Sequence, residues 1–184
     1  MSETEEDARK IDVIYSAETI AARLETLAGE IVGAKLERPL VVSVLTGSFV
    51  FSADLLRSLQ RVGMAPEVDF LTLASYRRST TSSGSVEILR DLDLDVKDRD
   101  ILLIDDILDT GRTLAFAKDL LAGRGARRIV TCVLLEKQTQ RAVTVEADFV
   151  AFTCPPVFVI GYGMDVAHRY RELPFVGCLR SPEA

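Results

Sequence analysis

Ile101-Leu-Leu-Ile-Asp-Asp-Ile-Leu-Asp-Thr-Gly-Arg-Thr113 runs from an aliphatic stretch through three carboxylates into a turn of hydroxyls and glycine. Ile101 to Ile104 predicts a central parallel strand, because strands covered on both faces read as unbroken aliphatic runs. Leu114, Ala117, Leu120 and Leu121 recur at the spacing of one helix face, so the turn between the two opens a helix. Helix N-termini carry free N–H groups and a positive dipole end. With the hydroxyls of Thr110 and Thr113, and with Gly111 letting backbone approach closely, that turn suits a phosphate. Asp105 and Asp106 repel phosphate; they suit ribose hydroxyls or a hard divalent cation such as magnesium.

By residue type alone, a strand ending in acids before a capped helix is common in α/β proteins. The exact string is neither a GxxxxGK[ST] phosphate loop nor a GxGxxG dinucleotide loop, which removes the usual support for mononucleotide kinases and nicotinamide enzymes.

Outward from this stretch, the chain alternates strands and helices. Ser16 is placed to cap a helix reaching about Ala34, with Ile20, Leu24, Leu27 and Ile31 on one face. Pro39 precedes a strand, Leu40 to Leu45, and Thr46-Gly47-Ser48 turns into a helix over roughly Phe49 to Val62. A second glycine-bearing loop between strand and helix marks the ligand edge of an open parallel sheet. Val68 to Ala74 reads as a strand, followed by the hydroxyl-rich run from Ser75 to Gly84, and Val86 to Leu89 is extended again. Leu92 to Asp100 is an acidic connector into the quoted stretch. Gly123 and Gly125 end its helix, and Ile129 to Leu135 is a β-branched strand. Further strands are expected at Phe149 to Phe152 and Val157 to Ile160, separated by Pro155-Pro156. The pattern predicts a doubly wound, mainly parallel sheet.

A chain of 184 residues, 48% hydrophobic, is enough for one such domain and too short for two. A net charge of −6 gives no electrostatic case for duplex nucleic acid. No apolar run approaches membrane-spanning length, and Met1 to Asp7 is acidic where a signal peptide is basic, so residues 1–10 read as a loose tail. Cys132, Cys154 and Cys178 are odd in number and set in apolar surroundings, which predicts buried free thiols and a cytoplasmic protein.

The quoted stretch resembles the phosphoribosyl pyrophosphate (PRPP) motif of type I phosphoribosyltransferases: an apolar strand, two acids, two apolar residues, then Asp-Thr-Gly and a hydroxyl residue. Four other segments resemble the hypoxanthine-guanine members of that family. Val42 to Asp54 is similar to their pyrophosphate loop and following helix. Ser75-Tyr76 is similar to the start of their flexible active-site loop, and Leu134-Leu-Glu-Lys137 to the strand end with a purine-selecting lysine. Phe158 to Asp165, with Tyr170-Arg-Glu-Leu173, is similar to the base-stacking and metal-binding region. The likeness runs from about Val13 to Leu179.

The resemblance implies a type I phosphoribosyltransferase fold over residues 1–184, with a small hood built from the N-terminal segment and about residues 155–184. It implies transfer of the 5-phosphoribosyl group from PRPP to hypoxanthine or guanine, with magnesium, in a homodimer or homotetramer. Asp109 falls at the catalytic aspartate. Asp105, Asp106, Ile107, Leu108, Asp109, Thr110, Gly111, Arg112 and Thr113 fall on the PRPP site, and Leu45, Thr46, Gly47 and Arg171 on the pyrophosphate site. Lys137, Phe158, Val159 and Asp165 fall on the purine site, and Asp105, Asp106 and Asp165 on metal positions.

Chemistry supports these roles. An aromatic face at Phe158 stacks on a flat base. An ammonium has donors only, so Lys137 suits a 6-oxygen and rejects the 6-amino group of adenine. Arg171 offers a planar fork to pyrophosphate, and a closing loop at Tyr76 excludes water. His168 has arginine neighbours and reads as a surface residue. One position departs from the family: many relatives have a basic residue where this chain has Thr46. The family also commonly has a cis peptide between residues equivalent to Leu45 and Thr46. Two other readings stand beside the first, a xanthine-preferring transferase and a non-catalytic PRPP-sensing regulator.

Overall fold

A computed structural model describes residues 11–75 and 86–180, with the backbone alone at Ser75. In chain order the elements are β1 (Ile11–Tyr15), α1 (Ala17–Gly33), β2 (Leu40–Leu45), α2 (Phe49–Arg61), β3 (Glu67–Ser75) and β4 (Val86–Arg90). They continue with β5 (Asp100–Leu108), α3 (Arg112–Gly123), β6 (Arg128–Lys137), β7 (Phe149–Cys154), β8 (Val159–Ile160) and β9 (Val176–Leu179).

A six-stranded sheet has the order β4-β3-β2-β5-β6-β7, parallel except where β4 pairs antiparallel with β3. Its aliphatic strands are buried on both faces, and the alternation of their side chains sorts them into two cores. Val41, Leu102, Ile104, Cys132 and Leu134 pack with α1 and α2 on one face. Leu40, Val42, Val44, Ile101, Leu103 and Val133 pack with α3 on the other. The sequence therefore winds helices onto both sides.

β2 leads through α2 to its neighbour β3, while β5 leads through α3 to β6 on the opposite flank. The chain order thus reverses between β2 and β5, whose register pairs Leu40 with Ile101 and Ser43 with Ile104. Crevices form at the carboxyl ends of strands at such a switch point. Here those ends are the Thr46-Gly47 turn and the Asp105–Thr113 segment.

A second, three-stranded sheet, β1-β9-β8, is antiparallel, with Ile11 opposite Leu179 and Val159 opposite Cys178. It is assembled from both chain ends, and its Val159, Tyr162, Met164 and Val176 join the α1/α2 core. This is the hood that the resemblance implied.

Three expectations need correction. β5 continues through both acids to Leu108, because Ile107 and Leu108 keep pairing with Leu135 and Glu136 of β6. Val157 and Phe158 are outside any strand, since Val157 N–H turns back to Pro155 C=O, and β8 is just Val159–Ile160. Cys132, Cys154 and Cys178 are free, but Cys178 is half-buried. Residues 1–10 and Tyr76 lie outside the described residues.

Asp100, at the start of β5, is buried and accepts from Arg127 Nε at 2.8 Å and from Glu37 N–H at 2.7 Å. The Arg127 hydrogen bond, against the opposing effect of burial, holds its carboxyl below the ordinary value. A depressed carboxyl contributes stability that is full above its unfolded value and is lost as pH falls through the folded one. Asp100→Ala is expected to cost about 2 kcal/mol near neutrality, the scale of a hydrogen bond to a charged group, because the Arg127 guanidinium and the Glu37 N–H lose their buried acceptor. Thermal unfolding across pH should show that difference shrinking in acid; a pH-independent difference would contradict the ionic part of the account.

Candidate active site

The turn after β2 is held from below by serines. Ser43 Oγ bonds Ser48 Oγ at 2.8 Å and Ser52 Oγ at 2.7 Å, and Ser48 Oγ donates to Val44 C=O at 2.5 Å. All three serines are buried. This fixes Thr46 and Gly47 at the sheet edge, with a cis peptide between Leu45 and Thr46. A Cβ at Gly47 would lie 1.8 Å from Asp106 Oδ2, so the acid occupies the space that only glycine leaves. A Cβ at Gly163, in the hood, would lie 2.3 Å from Gly47 C=O. The hood therefore touches the turn after β2 directly.

One cavity of about 370 Å³ opens at this edge, lined by Thr46, Gly47, Asp106, Ile107, Asp109, Lys137, Phe158, Val159, Met164, Asp165 and Arg171. Segments far apart in the chain converge here: the β2 turn, the end of β5, the end of β6 and the hood. A second cavity of about 170 Å³ adjoins it, lined by Ile107, Leu108, Asp109, Thr110, Gly111, Thr113 and Leu114. Gly111 caps α3 with φ of 81°, and a Cβ there would meet Val143 C=O at 2.7 Å. Gly111 has no side chain with which to cap that helix. Its first turn thus faces the small cavity with backbone N–H groups and threonine hydroxyls, the arrangement that suits an anion.

Asp105 is buried, and its neighbour Asp106 is half-buried at the cavity wall. Burial, reinforced by the neighbouring Asp106 charge, pushes the Asp105 carboxyl well above the ordinary carboxylate range. Burial raises Asp106 too, although Arg171 nearby favours its ionised form. Asp106 lines the larger cavity and Asp105 does not.

Lys137 ends β6 with its side chain 13% exposed, and Nζ lies 3.3 Å from Asp109 Oδ2. Thr139 Oγ1 donates to Asp109 Oδ1 at 3.1 Å. Phe158 presents an aromatic face, 61% exposed, at the cavity rim. Arg171 donates through Nη1 to Gly163 C=O at 2.6 Å and pairs through Nη2 with Asp165 Oδ1 at 2.8 Å. Asp165 also accepts from His168 N–H at 2.7 Å. His168 itself is 94% exposed and lines neither cavity.

Nearly every residue singled out in the sequence lies on one of the two cavities. Leu45, Asp105 and Arg112 are not in their lining, and Ser75 is known by its backbone, paired with Val86. Sequence reasoning missed Met164 and Thr139. For Thr139 a signal existed, since a hydroxyl residue stands two positions after the lysine that ends β6.

The chain matches the phosphoribosyl transferase domain over residues 10–167. It is 40% identical over 182 residues to a Streptococcus agalactiae protein named hypoxanthine-guanine phosphoribosyltransferase, covering 96% of each chain. A Bacillus subtilis protein of the same name is 41% identical over 169 residues, 91% of this chain and 92% of its own. Among solved structures, a hypoxanthine phosphoribosyltransferase from Staphylococcus aureus superposes with a TM-score of 0.86 at 34% identity, over 97% of this chain and 95% of that one. One from Trypanosoma cruzi, in a ternary substrates complex, gives 0.84 at 36% identity over 91% and 94%. With the glycine turns, the paired acids and the two cavities at one sheet edge, this likeness over the whole fold is decisive: the chain belongs to the phosphoribosyl transferase family.

Proposed function

We propose that this chain transfers the 5-phosphoribosyl group of PRPP to hypoxanthine or guanine, giving IMP or GMP and pyrophosphate. The observation that carries the reading is the convergence of Asp109, Lys137, Phe158 and Arg171 on one cavity next to the α3 N-terminus. The small cavity suits the 5-phosphate, and the larger one suits the base and pyrophosphate.

In the reaction, a bond forms between a purine ring nitrogen and the anomeric carbon while the bond from that carbon to pyrophosphate breaks, and pyrophosphate leaves with the electron pair. Asp109 takes the proton of the imidazole ring as general base. Lys137 donates to the 6-oxygen, Phe158 stacks on the ring, and carbonyls at Val159 and Asp165 accept from the 2-amino group of guanine. Hypoxanthine omits that last bond, so both bases fit. Arg171 and the backbone of the Thr46-Gly47 turn hold pyrophosphate.

Magnesium fits the donor set. Burial disfavours the charge of both Asp105 and the half-buried Asp106, with the Asp106 charge adding to the effect on Asp105; a nearby dication would offset this, and oxygen ligands are what magnesium prefers. Asp106 and Asp165 line the cavity, while Asp105 is outside its lining and accepts from the Asp106 N–H. Among the described residues no three such side chains converge, so the ion would lean on substrate phosphates, neutralising their charge.

Assembly as a homodimer or homotetramer belongs to the same reading. A groove of about 750 Å³ along α1 and α2 carries the exposed Phe49 beside the Glu25–Arg61 and Asp54–Arg57 ion pairs, an apolar patch with a charged rim that a two-fold interface, where a patch meets its own copy, would cover. A cytoplasmic location fits the free thiols, and no helix among the described residues is long and apolar enough to cross a membrane.

Stoichiometric release of pyrophosphate with IMP from PRPP and hypoxanthine tests the activity. PRPP binding without any release would favour the regulator instead. At the pyrophosphate turn, Thr46→Ala is expected to cost roughly 1 kcal/mol in pyrophosphate affinity, the scale of one neutral hydrogen bond. Arg171→Ala should cost clearly more, because a charge-assisted fork is lost and Asp165 loses its partner. Pyrophosphate inhibition constants in the reverse order would mean that the Thr46 hydroxyl does the work of the basic residue seen in relatives.

A further inference from the structure

Among the described residues Asp109 has two side-chain partners, and the proposed reaction removes one of them. Its Oδ2 is paired with Lys137 Nζ at 3.3 Å and its Oδ1 accepts from Thr139 Oγ1 at 3.1 Å. Lys137 must turn to the 6-oxygen of the incoming base, leaving Oδ2 open to the imidazole N–H. A carboxylate freed on one side rotates about two side-chain bonds, and a general base that drifts by about 1 Å loses much of its effect. A second contact that substrate does not displace is therefore needed.

We propose that Thr139 is a positioning residue that keeps Asp109 aimed while its other oxygen changes partner from Lys137 to the purine. The inference rests on the reading of Asp109 as the base. A hydroxyl suits this task because it is neutral: it orients the carboxylate without drawing off its charge as a second ammonium would.

Thr139 is itself held firmly. Gln138 N–H donates to Cys154 C=O at 3.3 Å just before it. Beyond it, Ala142 and Val143 N–H groups both reach Thr110 C=O, at 3.0 and 3.2 Å. Arg141 ties the same loop to Glu136 and to Val145 C=O. Because Thr110 follows Asp109 directly, the loop bearing Thr139 and the turn bearing the base are fastened to each other. The hydroxyl and the carboxylate keep their relation even if Lys137 moves.

Steady-state kinetics of Thr139→Val and Thr139→Ser test this, with hypoxanthine and PRPP each varied. Thr139→Val keeps the shape without the hydroxyl. It is expected to lower kcat about tenfold, with both KM values within about twofold of wild type and thermal stability unchanged. Thr139→Ser restores the hydroxyl and should restore kcat. In an Asp109→Asn background, Thr139→Val should have no further effect on kcat, as expected of a residue acting through another. An unchanged kcat in Thr139→Val overturns the proposal, as does an equal loss in Thr139→Ser or an undiminished loss in the double variant. If Asp109→Asn alone turns over like wild type, the reading of the base has failed instead, and the cycle separates the two failures.

Discussion

Asp109→Asn is expected to lower turnover by about a hundredfold or more while PRPP binding stays near wild type, the effect of removing a positioned general base. The amide keeps its oxygen toward Thr139, sets its NH2 against Lys137 and cannot take the proton. The phosphate turn should be unaffected, since its Gly111 cap and its contacts with residues 142–143 do not use the carboxylate. Rapid-quench turnover and calorimetric titration with PRPP check both halves. Wild-type turnover would move the base elsewhere, whereas lost PRPP binding would make Asp109 a sugar ligand.

Lys137→Met should reduce kcat/KM for hypoxanthine and guanine by one to two powers of ten, on the order of the 1.5–3 kcal/mol of a hydrogen bond to a charged group. Adenine use should fall far less, narrowing the gap between the two base classes. Lys137 is mostly buried beside Asp109, so its positive charge is poorly hydrated and turns strongly on having an acceptor. Unchanged kinetics with 6-oxopurines would contradict its role in choosing the base.

Much of this was legible in the chain. Ile101 to Ile104 had to be a covered strand, the Leu114 to Leu121 pattern had to be a helix face, and the glycine turns between strands and helices set the ligand edge. Helix α1 ends within a residue of expectation, because Ser16 caps it by accepting from Thr19 N–H and its face is regular. Elements at the chain ends were harder to read. β1 and β9 are short, and their strand character comes from long-range pairing, with β9 held between β1 and β8, and not from their own pattern; Arg180, just past β9, reaches Asp12 across 168 positions. The extension of β5 through Asp105 and Asp106 was hidden for a similar reason. Two carboxylates look like a loop until Val133 and Leu135 of β6 are seen to pair alongside.

At the site, residue types were readable and partnerships were not. Lys137 alone looks like a solvated loop residue, but parallel pairing of β5 with β6 carries it to Asp109. Arg171 and Asp165 were assigned separately, to pyrophosphate and to the purine and metal positions, yet they are bonded to each other. The Ser43, Ser48 and Ser52 cluster under the β2 turn gave no signal, since isolated serines in a strand, a turn and a helix share no spacing.

The most direct test of the central claim is an ultraviolet assay of nucleotide formation by the pure protein with PRPP, magnesium and each of hypoxanthine, guanine, xanthine, adenine and uracil. Rapid formation of IMP and GMP, with adenine and uracil near background and xanthine below the other two oxopurines, is the predicted result. Preference for xanthine would overturn the choice of base, and no nucleotide from any of the five would contradict the transferase account itself.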